Sequence, residues 1–307
     1  MNANKAINLG KEFSTNLPLP EKLDPHLEEA IRHVLSTPGN LVRPKLVLQM
    51  ASAFGLAESA ARDLAIALEY FHTASLLFDD LPCMDDAMAR RGLPCTHIVS
   101  GEAGAILTAL ALINRAYALS WRAAAVCERG SQMAALTYLE KRLGVDGLLN
   151  GQSLDLNYAT LPHDRETNQR IAMGKTVSLI RLSLVFPAIL GGASNREIQL
   201  LEHIALFWGL SYQIADDLKD VLQSSHDTGK TAARDGLLNR PNTALALGIE
   251  ATIARLQRLI GLGDRTLKQL AAKRPAVSFL GDLRRSLDAE VRRITTEASE
   301  IGLPVCA

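Results

Sequence analysis

Two runs of carboxylates are the residues of this chain best able to do chemistry: Asp79-Asp80-Leu81-Pro82-Cys83-Met84-Asp85-Asp86 and Asp216-Asp217-Leu218-Lys219-Asp220. Each follows an apolar stretch, Phe71 to Phe78 before the first and Ala205 to Ala215 before the second. A single acidic run is ordinarily a solvated surface patch. Two runs set in apolar helices are costly to leave uncompensated. Hard divalent cations such as Mg²⁺ take oxygen ligands and bridge carboxylates to substrate phosphates. Cations accompany both runs: Arg90-Arg91-Gly92 follows the first, and Lys219, Lys230 and Arg234 lie in or after the second. Acid and base at one locus read as metal plus phosphate.

Helices must position these groups. At about 100° per residue, Gln213, Asp216, Asp217 and Asp220 fall on one stripe, separated by three, four and seven residues. Carboxylates sharing a helix face repel one another unless cations compensate them. The first run is less regular. His72 and Asp79 share a face, whereas Asp85 would leave it in a straight helix. Pro82 has no backbone donor, and the distortion predicted there returns Asp85 to the face of Asp79.

Apolar residues recur at three- and four-residue spacing over Leu41 to Phe54, Ala57 to Asp79, Ala103 to Val126 and Ile198 to Leu222. Strand-like alternation is scarce. The expected architecture is all-α, a single helical bundle over residues 1–307. Ser36-Thr37-Pro38-Gly39, Asn157 to Glu166 and Gln223 to Gly236 read as breaks. The last is long enough to read as a functional lid.

Bulk properties narrow the partners. The 307 residues are 48% hydrophobic and 21% charged, with 33 basic residues against 33 acidic ones. No net field recruits nucleic acid or an anionic membrane, so a polyanion must be held by a local cluster of cations. Cys83, Cys95, Cys127 and Cys306 show no paired or zinc-ligand spacing, as in a reduced protein. No run reaches the roughly 18 uninterrupted apolar residues of a membrane span. The N-terminus lacks the apolar core of a signal peptide. A cytoplasmic protein without stable membrane insertion is expected.

These residues carry a resemblance. His72 to Asp85, continuing to Arg90-Arg91-Gly92-Leu93-Pro94, resembles the first aspartate-rich region of short-chain trans-isoprenyl diphosphate synthases. Gln213-Ile214-Ala215-Asp216-Asp217-Leu218-Lys219-Asp220 resembles their second region. Lys175-Thr176 is similar to the family's Lys-Thr, Gly151-Gln152-Ser153-Leu154-Asp155 to its Gly-Gln-x-x-Asp helix, and Gly229-Lys230 to the opening of its late loop. These matches run in order from about Gly39 to Leu247.

The resemblance implies an all-α bundle around a deep central cavity, a homodimer, and a prenyl transfer from an allylic diphosphate to isopentenyl diphosphate. It implies three Mg²⁺ ions, two held by Asp79 and Asp85 with Asp80 beside them. The third would be held by Asp216 with support from Asp217 and Asp220. Arg90, Lys175 and Lys230 would bind the allylic diphosphate, with Thr176 and Gln213 along its path. Arg43, His72 and Arg91 would bind isopentenyl diphosphate. Bulk at the fifth position before the first aspartate stops the family's products at C15. Here Ala74 occupies that position beside Ser75, with Phe71 a turn deeper, which implies geranylgeranyl diphosphate, C20.

Four positions depart from the family pattern. Asn40 stands where a lysine is usual, Ala87-Met88 where an acidic pair often follows, Ala109-Leu110 for a Gly-Asp, and Asn239-Arg240 for a late Gly-Lys. Two rivals remain at this point. A class I terpene cyclase usually carries an Asn/Asp-Ser/Thr-Glu triad in place of the second Asp-Asp-x-x-Asp. A non-catalytic partner subunit tends to lose its aspartate clusters, and both are intact here.

Overall fold

The structure, a computed structural model, describes residues 8–222 and 240–300 and is all-α apart from one short hairpin among those residues. Its contacts group into two compact units, Met1–Leu136 and Thr137–Ala307.

The first unit holds α1 (Leu9–Thr15), α2 (Pro25–Ser36), α3 (Val42–Ala53), α4 (Glu58–Asp79), the strands β1 (Ala89–Arg90) and β2 (Leu93–Pro94), and α5 (Thr96–Ala125). Helix α4 is central and packs on α3 and α5. Leu64 to Leu68 are all buried, so this helix is apolar on every side because every side meets protein. Tyr70 is fully buried and donates its hydroxyl to the Phe13 carbonyl at 2.7 Å, which leaves no polar atom stranded there. Asp24 caps α2 through the amides of His26 and Leu27, with Pro25 opening the helix. Helix α5 kinks at Gly101, whose φ of 72° and ψ of 165° suit a residue without Cβ.

Helix α6 (Arg129–Leu143) runs across the boundary. The second unit continues with α7 (Leu148–Leu156), a 3₁₀ turn (Tyr158–Thr160), α8 (Arg165–Ala172), a π-helical turn (Met173–Val177) and α9 (Ser178–Leu190). It closes with α10 (Asn195–Leu222), α11 (Thr243–Leu247), α12 (Ile249–Lys273), a 3₁₀ turn (Pro275–Phe279) and α13 (Leu280–Glu300). Helix α10 is central and packs on α9, α12 and α13. Val177, Leu210, Ile214, Leu218, Leu256 and Ile294 form its core. Gly263 lets Trp208 close against α12, since a Cβ there would lie 2.3 Å from the indole nitrogen.

The four helices expected from apolar spacing are present as α3, α4, α5 and α10. Helix α5 begins seven residues before its predicted start, because the kink at Gly101 lets an extra turn continue into it. The hairpin and the π-helical turn are not foreshadowed by periodicity. Arg91 and Gly92, at φ 55° and 80°, form the two-residue turn with positive φ at both positions that matches strand twist.

Two helical runs, 96–125 and 165–190, are long and apolar enough by composition to cross a bilayer. The apolar window of the second is 67% buried within the protein and that of the first 33%. Helix α5 is also tied by polar groups: the Arg115 guanidinium donates to the Asn16 carbonyl at 2.6 Å, and Arg122 pairs with Asp63.

Candidate active site

Helix α4 stops at Asp79, and the chain then closes a loop on the helix end. The amides of Met84 and Asp86 donate to the Leu81 carbonyl at 2.9 and 3.0 Å, and the Asp85 amide donates to the Asp79 carbonyl at 2.9 Å. Asp85 therefore returns beside Asp79 through a hydrogen-bonded turn, where the sequence reading expects a distorted helix. Asp86, at φ 47°, takes the left-handed conformation this closure demands. Asp80 turns inward and is 3% exposed. Arg90 Nε donates to both of its carboxylate oxygens at 2.8 and 2.9 Å, and Nη2 lies 2.6 Å from one of them. This geometry makes a strong, charge-assisted pair. Asp79 and Asp85 are half-buried.

A second set of cations lies in the same unit. His72 on α4 is pushed down to about 2 by burial, with the charges of Arg43, Arg91 and Arg90 acting in the same direction. It is a neutral imidazole, and its Nδ1 is buried with no hydrogen-bond partner among the described residues. Arg91 donates from Nη1 to the Thr37 carbonyl at 3.1 Å. A Cβ on Gly39 would lie 2.5 Å from Arg91 Nη2, so the glycine leaves room for the guanidinium. Asn40 follows, exposed, at the foot of α3. Glu69, one turn before His72, is 2% exposed and lies 3.8 Å from Arg91 Nη2. Sequence reasoning passed over it, although a glutamate three residues before His72 within an apolar helix was a visible signal. Of the three proposed ruler residues, Phe71 and Ala74 are buried and Ser75 is half-buried. Phe71 meets Tyr117 edge-on at 4.9 Å, and the Ser75 hydroxyl donates to the His72 carbonyl at 2.8 Å.

In the second unit Lys175 and Thr176 lie on the π-helical turn, a device that re-aims side chains within a helix. Lys175 Nζ is 2.8 Å from Asp155 Oδ2 on α7, and Arg240 Nη1 donates to the Asp155 carbonyl at 3.1 Å. Gly151 and Gly174 bring α7 and this turn into main-chain contact: a Cβ on Gly151 would lie 2.3 Å from the Lys175 nitrogen.

A chain of hydrogen bonds then runs through α10. Thr176 Oγ1 donates to Gln213 Oε1 at 2.6 Å, and Gln213 Nε2 donates to Asp217 Oδ1 at 2.9 Å. The Thr243 amide donates to Asp217 Oδ2 at 2.8 Å, and Asn242 Nδ2 donates to the Asp217 carbonyl at 3.0 Å. Asp217 is 2% exposed. Burial, with the neighbouring Asp216, raises its pKa to about 6 despite the bonds from Gln213 and Thr243. Asp216 and Asp220 stay half-buried, so the expected single stripe divides into an inward carboxylate and two more accessible ones. Asn242 and Thr243 carried no sequence signal of this role, whereas Arg240 stands where the family has a late lysine. Lys230 lies outside the described residues.

Among the described residues no three His, Cys, Asp or Glu side chains converge to cage a metal. Mg²⁺ seldom needs such a cage, because it takes one or two carboxylates and fills its shell with phosphate and water. Asp79 with Asp85, and Asp216 with Asp220, fit that substrate-bridged mode. Asp80 and Asp217 are already engaged from within the fold.

The chain is similar to known proteins over most of its length. The polyprenyl synthetase family model matches residues 24–276. The chain is 36% identical over 260 residues to geranylgeranyl pyrophosphate synthase 10, mitochondrial, of Arabidopsis thaliana, covering 83% of this chain and 75% of that protein. Among solved structures, it superposes on a geranyltransferase from Helicobacter pylori, complexed with magnesium and isoprenyl diphosphate, with a TM-score of 0.76. That match has 27% identity and covers 94% of each chain. It likewise superposes on an FPP/GFPP synthase from Zymomonas mobilis with a TM-score of 0.70 and 30% identity, covering 87% of this chain and 91% of the other. The ordered motifs, the helical fold and these likenesses over most of the chain agree: the chain belongs to the polyprenyl synthetase family.

Proposed function

We propose that this prenyl transferase joins isopentenyl diphosphate to an allylic diphosphate in a Mg²⁺-dependent reaction and releases geranylgeranyl diphosphate. The observation that carries the reading is the bonded turn that sets Asp85 beside Asp79 at the end of α4, just past the small residues Ala74 and Ser75. Asp79 and Asp85 would hold two Mg²⁺ ions, and Asp216 with Asp220 a third. Asp80 and Asp217 support them from within, through Arg90 and Gln213.

Bound magnesium neutralises charge on a leaving diphosphate. Arg90, Lys175 and Lys230 add fixed positive charge at the allylic diphosphate, so the allylic C–O bond breaks toward a preorganised electrostatic site. Thr176 and Gln213 orient along its path. Arg43, Arg91 and the neutral His72 hold isopentenyl diphosphate, whose double bond attacks the allylic carbon. The proton then lost goes to the released diphosphate, so no side-chain base is required. Water must be excluded, or it would capture the carbocation.

The C20 product follows from the small Ala74 and Ser75 with the bulky Phe71 deeper on α4, and agrees with the name of the Arabidopsis relative. The protein acts in the cytoplasm without membrane insertion, and as a homodimer through the exposed apolar face of α5 at Leu110, Tyr117 and Trp121.

Incubation with Mg²⁺, isopentenyl diphosphate and each of the C5, C10 and C15 allylic diphosphates tests the reading. A C20 diphosphate that disappears with EDTA is expected. Cyclic hydrocarbons, or no product with any starter, would overturn it.

A further inference from the structure

We propose that Glu69 is a positioning residue for isopentenyl diphosphate, holding the guanidinium of Arg91 in place for its diphosphate. The inference rests on the reading that Arg43, His72 and Arg91 form that pocket. Glu69 is buried on α4, three residues before His72, and residues at that spacing share a helix face. Its Oε1 lies 3.8 Å from Arg91 Nη2.

Burial raises the pKa of Glu69 above the ordinary glutamate value, and the charges of Arg43 and Arg91 pull it back only in part. The attraction is mutual, so the carboxylate steadies Arg91, the guanidinium that lies beside it. Glu69 and Asp80 are the two carboxylates whose charge acts on Arg91, and Glu69 has the larger influence. Without Glu69, the positive charge of Arg90, which acts on Arg91, is less well offset. Arg91 is held from three sides: by the Thr37 carbonyl, by the space over Gly39 and by Glu69. No substrate atom need touch Glu69, since its effect passes through Arg91.

Steady-state kinetics on the full chain, with Mg²⁺ and an accepted allylic diphosphate, tests this. Glu69→Gln keeps the shape and removes the charge. It should raise the KM for isopentenyl diphosphate about tenfold, while the allylic KM and kcat change less than threefold. Glu69→Asp keeps the charge on a shorter arm and should raise the same KM only about threefold. An unchanged or lower KM for isopentenyl diphosphate in Glu69→Gln overturns the proposal, as does an equal rise in both KM values. If Glu69→Gln loses its helical circular dichroism, Glu69→Asp decides, and no change there overturns the proposal. Arg43→Gln separates the two claims. If it leaves the isopentenyl diphosphate KM unaltered, the pocket assignment itself fails. If it raises that KM while Glu69→Gln does not, only the role of Glu69 fails.

Discussion

Substituting Gly151 with alanine should damage both stability and turnover, and the structure sets the size of the effect. A Cβ on Gly151 would lie 2.3 Å from the Lys175 nitrogen, 2.5 Å from the Gly174 carbonyl carbon and 2.7 Å from Gly174 Cα. All three are main-chain atoms that no rotamer change can move. Restoring ordinary contact at 3.4 Å requires α7 and the π-helical turn to separate by about 1 Å. Overpacking where side chains can adjust costs about 1–3 kcal/mol, and this contact belongs at the upper end. About 3 kcal/mol corresponds to a Tm lower by about 6–12 °C in a domain of this size. The same shift displaces Lys175 from Asp155, and a misplacement of about 1 Å near the chemistry can cost about 100-fold in rate. Thermal unfolding followed by circular dichroism, with initial rates at saturating substrates, reads both effects. Gly130→Ala, in an open position on α6, is the control and should be neutral or stabilising by up to about 1 kcal/mol. A Gly151→Ala variant with Tm and rate both indistinguishable from the parent would refute the close approach of α7 to the Lys175 turn.

Asp79→Ala and Asp216→Ala should each lower kcat at least about 100-fold with the fold intact by circular dichroism, because metal-held carboxylates act in the transition state; near-normal turnover would exclude the proposed ion sites. Ala74→Tyr should move the product from C20 toward C15, as read by chromatography of the dephosphorylated products, and an unchanged product would remove Ala74 from the ruler. Asn40→Lys should lower the KM for isopentenyl diphosphate about 5- to 30-fold by replacing a dipole with a charge, leaving the allylic KM nearly unaltered. His72 is neutral in the folded protein, so His72→Gln, which keeps a hydrogen-bonding group, should change the isopentenyl diphosphate KM less than about fivefold; a change as large as that of Arg43→Gln would show that His72 acts as a cation.

Much of the first unit's chemistry was legible before any coordinates. Apolar spacing located α4, and the carboxylate run at its end announced a site, because an uncompensated cluster there would be costly. Spacing could not say how Asp85 returns to Asp79. That depends on which carbonyls the loop amides find, and the Asp79 carbonyl became available only because α4 stops there. Glu69 was visible as a lone glutamate in an apolar helix, but its role was not. Within an apolar helix a single glutamate looks like ordinary punctuation until Arg91, from the hairpin, is brought against it.

The sequence by itself determined the helical class, the long helices α3, α4, α5 and α10, and the residue types able to hold a metal and a diphosphate. Those are properties of local periodicity and side-chain chemistry, which neighbours in the chain already express. Tertiary structure alone decided which carboxylates face inward. Asp216, Asp217 and Asp220 are chemically alike, yet only Asp217 meets the Thr243 amide and Gln213, and only it is fully buried. The same holds for Asp79 and Asp80, adjacent in sequence, of which Asp80 is claimed by Arg90. A helix turns adjacent side chains about 100° apart, and partners such as Thr243 and Arg90 come from outside the helix that carries the carboxylate.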